Sequence, residues 1–190
     1  MRFEIILSGF GGQGILFAGN LLALAGMYQG YQVSFLPVYG PEMRGGTCHC
    51  TVIISDREIS SPLVKEPGYL IVLNLPSFFK FIPRLRSGGL AIVNSDLVER
   101  RETEEFHNLT MDKEILWLPL SSLAEQAGSP LALNMCAIGA FNGLLKLFSE
   151  KIFKKALREM LGKDKAHLFE VNRRAYLKGK SAIKNLKESI

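Results

Sequence analysis

The sequence predicts an α/β fold with a mostly parallel sheet and helices on both faces, on three observations. A near-continuous apolar run, Phe3 to Ser8, leads directly into a glycine cluster and then a long apolar helical pattern. Strand-length apolar runs alternate with helical or polar stretches as far as about residue 130. From Leu133 onward the periodicity is helical and strand signals disappear.

The elements follow in order. Phe3–Ser8 reads as a strand buried on both faces, and Ile15–Met27 as an apolar helix that Gly30 can close. Val33–Val38 is a second strand, ending at Tyr39-Gly40-Pro41. Thr47–Ser55 is a third, with Ser55-Asp56-Arg57-Glu58 as a hairpin turn into Ile59, which predicts one antiparallel hairpin insertion. Tyr69–Leu73 is a further buried strand, and Pro76 opens a short helix running to Arg86. Ser87-Gly88-Gly89 breaks the chain before the strand Leu90–Asn94. The charged stretch from Asp96 to Lys113 reads as a surface connection. Ile115–Leu118 is a strand, and Ser121–Ala127 a helix capped by Ser121 or Ser122. A long apolar helix, Met135–Phe148, takes Asn134 as its expected N-cap. One domain is expected over residues 1–190, with 1–130 as the sheet-forming core and 131–190 as a helical, basic C-terminal part.

Composition excludes several classes. An apolar fraction of 47% and a charged fraction of 22% are those of an ordinary globular protein. At 190 residues a chain buries roughly 70% of the surface it exposes unfolded, so no disulfide or metal staple is required. Three cysteines do not make a secreted disulfide framework. The N-terminus lacks a signal-peptide pattern, and no apolar run approaches the roughly 20 residues that span a bilayer. A cytoplasmic protein with no membrane contact is expected. The net charge of +5 is uneven: residues 1–145 carry a net −3 and residues 146–190 a net +8. Without an RNP, zinc-finger or basic-zipper signature, no nucleic acid is expected, and the basic part reads as a solvated face or a docking surface for an acidic partner.

The glycine cluster Gly9-Phe10-Gly11-Gly12-Gln13-Gly14 has the G-x-G-x-x-G spacing between a predicted strand and a predicted helix. In that context glycines let the backbone turn sharply and approach an anion, while the helix N-terminal N–H groups complement its charge. The alternative is a tight turn whose glycines serve only helix–sheet packing, although four glycines in six residues exceed what a turn requires. A dinucleotide site also wants an acid at the end of the second strand, and Gln29 to Tyr39 contains none. A P-loop wants Gly-Lys-Ser/Thr where this chain has Gly14-Ile15-Leu16.

A second constellation, Tyr39-Gly40-Pro41-Glu42-Met43-Arg44-Gly45-Gly46-Thr47, follows the second strand at the expected carboxyl edge of the sheet, where open α/β sheets bind ligands. Arg44 can grip a carboxylate or phosphate with its guanidinium fork, or it can pair with Glu42 on an ordinary loop. Cys48-His49-Cys50 suggests a metal at first sight. On a strand, however, both thiols face one side and His49 the other, and only Cys136 remains as a further thiol. The cysteines therefore read as buried small hydrophobes and no metal site is expected.

With both loops in view, the sequence resembles the gamma subunit of the 2-oxoacid:ferredoxin oxidoreductases. The match rests on the two loops and continues through Asn134-Met135-Cys136-Ala137-Ile138-Gly139-Ala140 and Asn172-Arg173-Arg174-Ala175-Tyr176. It covers essentially the whole chain. The resemblance implies a Rossmann-like domain beside alpha and beta subunits, with a ferredoxin-like delta subunit as a further candidate. It implies coenzyme A-dependent oxidative decarboxylation of a 2-oxoacid, with electrons passed to ferredoxin. The Pro-Glu-Met-Arg-Gly-Gly-Thr loop looks most like the 2-oxoglutarate branch, and pyruvate enzymes have related loops.

The residue inventory agrees with a subunit that has no catalytic residues of its own. There is no Gly-Asp-Gly motif followed by Asn to hold the metal of thiamine diphosphate, and no cysteine run for an iron–sulfur cluster. Thiamine diphosphate, magnesium and the clusters are therefore expected on partner subunits, with coenzyme A as the contact expected here. The resemblance carries a binding role onto Gly9, Gly11, Gly12, Gln13, Gly14, Tyr39, Glu42, Arg44, Gly45, Gly46, Thr47 and Asn134. The competing expectation is a stand-alone nucleotide- or acyl-coenzyme A-binding module without catalytic partners.

Overall fold

A computed structural model describes residues 1–38 and 47–188. The order of elements is β1 (Arg2–Phe10), α1 (Ile15–Tyr28), β2 (Gln32–Val38), β3 (Thr47–Ser55), β4 (Tyr69–Val72), α2 (Leu75–Phe81), β5 (Leu90–Asn94), α3 (Glu104–Thr110), β6 (Glu114–Leu118), α4 (Leu120–Gln126), α5 (Leu133–Leu145), α6 (Glu150–Leu161) and α7 (Phe169–Glu188). Among the described residues, no helix is long and apolar enough to cross a membrane.

The six strands form one sheet in the order β2-β3-β1-β4-β5-β6. β1, β4, β5 and β6 pair in parallel, whereas β3 runs antiparallel to both its neighbours, β1 and β2. Five strands therefore point the same way and β3 is the inserted antiparallel strand. The expected turn into Ile59 is corrected. β3 takes its ladder from strands before it in sequence, while the chain after Ser55 leaves the sheet with the Asp56 N–H bonded to the Met1 carbonyl.

Helices cover both faces. On one face α1, α4, α5, α6 and α7 bury Leu21, Leu22, Ile54, Met135, Phe141, Phe153 and Tyr176 in a large core. On the other, α2 and α3 cover Ile6, Leu70, Val72 and Val93. Burial on both faces is why β5 reads as an apolar run, Leu90–Val93, closed by the buried Asn94.

The stretch from Asp96 to Lys113 is more than a surface connection. It carries α3, capped by the Thr103 hydroxyl and with Glu104 and Glu105 in its first turn. Phe106 stacks on Phe78 of α2 with centroids 4.8 Å apart, and Val98 is buried beside them. Such an aromatic pair adds about 1 kcal/mol beyond the area it buries.

α4 begins one residue before the expected seryl caps. The N–H groups of Leu120 and Ser121 are instead held by Asn94 Oδ1 at the end of β5, and that of Ser122 by Asp96 Oδ2. α2 likewise starts one residue early, capped by Asn74, and ends at Phe81 with a 3-10 turn to Arg84.

α5 and α7 pack backbone to backbone. A side chain at Gly139 would collide with the Tyr176 backbone, and one at Gly179 with the Cys136 carbonyl. Close approach brings Asn142 of α5 onto the buried Tyr176 hydroxyl at 2.7 Å, and the same amide bonds Phe148 in both directions. Burial holds the Tyr176 phenol above its ordinary range.

Candidate functional site at the glycine turn

In a doubly wound sheet the crevice lies where the chain reverses direction across the sheet, at the carboxyl ends of the parallel strands. That point falls between β1, whose crossover leads through α1 to β2, and β4, from which the chain winds outward the other way. The glycine turn is the connection that leaves this edge.

Phe10 ends β1, and Gln13 closes the turn behind it. The Gln13 N–H donates to the Phe10 carbonyl at 3.2 Å, and the Phe10 N–H donates to Gln13 Oε1 at 2.6 Å. Asn74, the cap of α2 two residues beyond β4, donates its amide to the same Oε1 at 3.4 Å, so the glutamine links the turn after β1 to the connection after β4. Gln13 is expected to hydrogen-bond the ligand or a neighbouring subunit, and within the chain its oxygen is engaged by Phe10 and Asn74. Among the described residues its Nε2 meets no acceptor.

Gly12 and Gly14 adopt φ of 94° and 70°. Gly14 sits at the N-cap of α1, where no side chain caps the helix and no acid occupies the first turn. The first-turn N–H groups thus lack an intrahelical acceptor and a competing anion. The Gly14 carbonyl accepts the Ala18 N–H at 2.9 Å and the Asn134 amide at 3.0 Å.

Asn134 is not the N-cap of α5. Ala132 holds that position, and Asn134 lies within the first turn, 5% exposed. The preceding 3-10 turn, Pro130–Ala132, starts the helix two residues early and aims Asn134 across at Gly14. Its Oδ1 accepts the Met135 N–H, so both ends of the amide are used within the chain.

Thr47 pairs with Phe10 across β1 and β3, and its hydroxyl accepts a hydrogen bond from Lys80 at 2.9 Å. Val38, the last residue of β2, pairs with His49. The two ends of the segment 39–46 therefore stand at the same edge as the glycine turn. Tyr39, Glu42, Arg44, Gly45 and Gly46 themselves lie outside the described residues. Gly9, Gly11, Gly12, Gln13, Gly14, Thr47 and Asn134 are gathered at that edge.

A cleft of about 220 Å³ opens beside Gly14, with Phe17, Leu131, Leu161, Leu168 and Asn134 among its walls and Lys165 at its rim. Leu131 is 80% exposed. The cleft joins α1, α5, α6 and α7, contacts between distant segments that no local sequence signal marks. Asn74 did carry a signal, since an asparagine two residues before Pro76 is a helix-start pattern.

The Cys48-His49-Cys50 strand behaves as its alternation requires. Cys48 and Cys50 enter the α1 side of the core, while His49 lies on the opposite face 4.8 Å from the Phe81 ring. The Cys50 thiol donates to the Ile15 carbonyl at 3.6 Å. Burial pushes Cys50 and Cys136 up to about 12, and raises Cys48 as well. Burial, with Lys80 and Arg84 nearby, lowers the basicity of His49. Cys48 and Cys50 share β3 and Cys136 lies on α5, fewer thiols than a four-cysteine iron–sulfur cluster takes, and among the described residues no three His, Cys, Asp or Glu side chains converge as a metal-holding group.

Comparison with known proteins gives the geometry a context. Residues 4–182 match the family described as pyruvate ferredoxin/flavodoxin oxidoreductase. The chain is 35% identical over 188 residues to 2-oxoglutarate synthase subunit KorC of Methanocaldococcus jannaschii, covering 98% of this chain and 96% of that one. It is 33% identical to ketoisovalerate oxidoreductase subunit VorA of Methanothermobacter marburgensis, covering 85% of this chain but 33% of that longer one. Among solved structures, the keto/oxoacid ferredoxin oxidoreductase gamma subunit of Geobacter sulfurreducens superimposes with a TM-score of 0.79 at 29% identity, over 96% of this chain and 99% of that one.

Proposed function

The chain belongs to the pyruvate ferredoxin/flavodoxin oxidoreductase family as a gamma-type subunit, and from that premise we propose that its enzyme oxidatively decarboxylates 2-oxoglutarate. The observation that carries the choice of oxoacid is the 2-oxoglutarate synthase relative, matched over nearly the full length of both chains. The Pro41-Glu42-Met43-Arg44-Gly45-Gly46-Thr47 loop, similar to that of the same branch, supports it.

Within that enzyme this chain supplies binding and closure. The glycine turn offers first-turn N–H groups of α1 to an anion, a coenzyme A phosphate or the substrate carboxylate. Arg44 reaches the same anion with a bidentate grip. Gln13, within the turn and bonded to Asn74, and Asn134, reaching in from α5, hold the turn in shape. Thiamine diphosphate and iron–sulfur clusters, carried by alpha and beta partners, supply the decarboxylation and electron-carrying chemistry. Ferredoxin takes the electrons.

The test is turnover of the reconstituted complex with 2-oxoglutarate, pyruvate and 2-oxoisovalerate at varied coenzyme A. The proposal expects 2-oxoglutarate to have the highest kcat/KM. Arg44→Ala should raise KM for coenzyme A or oxoacid about tenfold, the loss of roughly 1.4 kcal/mol expected of a charged hydrogen bond. A preference for another oxoacid rejects the branch, and unchanged kinetics in an intact Arg44→Ala complex reject the anion grip.

A further inference from the structure

α2 is tied to the glycine-turn edge at two points. Asn74, its cap, donates to Gln13 in the turn after β1. Further along the helix, Lys80 Nζ donates to the Thr47 hydroxyl at 2.9 Å. Thr47 opens β3 and stands opposite Phe10, the residue from which the glycine turn departs. The second contact therefore lies at the mouth of the crevice.

The surroundings of Lys80 fix where its ammonium sits. Thr47 and His49 alternate with the core-facing Cys48 and Cys50, so both lie on the face of β3 that looks toward α2. The His49 ring packs 4.8 Å from that of Phe81, and Lys80 Nζ lies 5.7 Å from the centre of the same Phe81 ring. Burial keeps the basicity of His49 below its ordinary range, so the imidazole is neutral at pH 7 and does not push the ammonium away.

Hydrogen-bond chemistry then dictates what Thr47 presents. An ammonium has donors and no acceptor, so Lys80 occupies a lone pair of the hydroxyl oxygen. The hydroxyl proton is left to be given away, and among the described residues no acceptor takes it. A hydroxyl bonded in this way to a cation is polarised and becomes a stronger donor to an anion.

Resting on the anion-binding reading of this edge, we propose that Lys80 is a positioning residue that makes the Thr47 hydroxyl an oxyanion donor. The oxyanion is a phosphate of coenzyme A or the carboxylate of the oxoacid. The hydroxyl touches it, and Lys80 acts through the hydroxyl.

The experiment is steady-state kinetics of the assembled complex, with coenzyme A and the oxoacid varied in turn. Lys80→Met and Thr47→Val should each raise one of the two KM values about fivefold, the loss of one hydrogen bond, while kcat stays within about twofold. A phosphate moves the KM for coenzyme A, and a carboxylate moves the KM for the oxoacid. The double variant should be no worse than Thr47→Val alone, because both changes act on one hydroxyl. Thr47→Ser and Lys80→Arg, which keep the hydroxyl and a cationic donor, should stay close to wild type. Unchanged KM values in Lys80→Met would overturn the proposal, as would losses that add in the double variant. So would release of the Lys80→Met chain from the complex on size exclusion, which would make the contact purely structural. Arg44→Ala separates the two readings. If it raises KM while Lys80→Met does not, only the role of Lys80 falls; if neither changes KM, the anion-binding reading falls with it.

Discussion

Asn134 reaches across 120 residues of sequence to donate its amide to the Gly14 carbonyl at 3.0 Å, fastening the start of α5 to the turn that starts α1. Asn134→Ala should therefore lower stability by about 1 kcal/mol, the net value of one such hydrogen bond. Gly14→Ala should cost more. Its φ of 70° disfavours any side chain, and an added methyl would press on the Asn134 amide. Urea unfolding of both variants measures the pair. If Gly14→Ala is as stable as wild type, the turn is not held as described.

Gln13 separates structure from electrostatics. Gln13→Ala removes the acceptor for the Phe10 N–H and should destabilise the fold by about 1 kcal/mol. Gln13→Glu keeps an acceptor there while placing a negative charge at the edge proposed to bind anions. In the complex, its KM for coenzyme A or oxoacid should rise about tenfold, in keeping with like charges costing on the order of 1 kcal/mol at about 4 Å even in water. Equal KM values for Gln13→Glu and wild type would argue against an anion at this turn.

Cysteine chemistry tests the placement of β3 and α5. With Cys50 and Cys136 fully buried and held up to about 12, their thiols should resist iodoacetamide at pH 8 in the folded protein. All three cysteines should label once denaturant is added. Mass spectrometry after a timed pulse reads the difference, and fast labelling of Cys136 in native buffer would contradict the α5–α7 packing.

Glu150 links the basic helices to pH. The Lys154 ammonium bonded to its carboxylate, with Arg173 nearby, holds Glu150 below the usual glutamate range. A depressed folded value means the contribution is complete above the unfolded pKa of about 4.3 and is lost as pH falls through the lower folded value. Glu150→Gln should cost less than about 1 kcal/mol at pH 7, as exposed ion pairs do, and nothing at pH 2. Thermal unfolding of the two proteins across that range shows whether their Tm values converge in acid.

The parts of the fold legible in the sequence are those whose cause is local. Ile5 and Leu7 in β1, the glycines after them and the apolar α1 announce themselves because burial on both faces leaves no polar position to blur the pattern. The partners of β3 were not legible, since β1 and β2 precede it and its place between them depends on the assembled sheet. α3 was hidden because its core contact rests on Phe106 within a charged stretch. The caps of α4 come from Asn94 and Asp96, 26 residues upstream of the bonds they make. At the site, the glycine spacing was visible, but the Gln13–Asn74 and Gly14–Asn134 bonds that hold it join segments 61 and 120 residues apart.

The central claim is that this chain forms one wall of a site whose reacting groups sit on other chains. The direct measurement is 2-oxoglutarate-dependent, coenzyme A-dependent reduction of ferredoxin by the purified alpha and beta partners, with and without this chain. The claim predicts that turnover falls at least about a hundredfold without it and returns when the chain is added back in stoichiometric amount. Full turnover by the partners alone, with the chain eluting as a separate species, would contradict it and favour a stand-alone binding module.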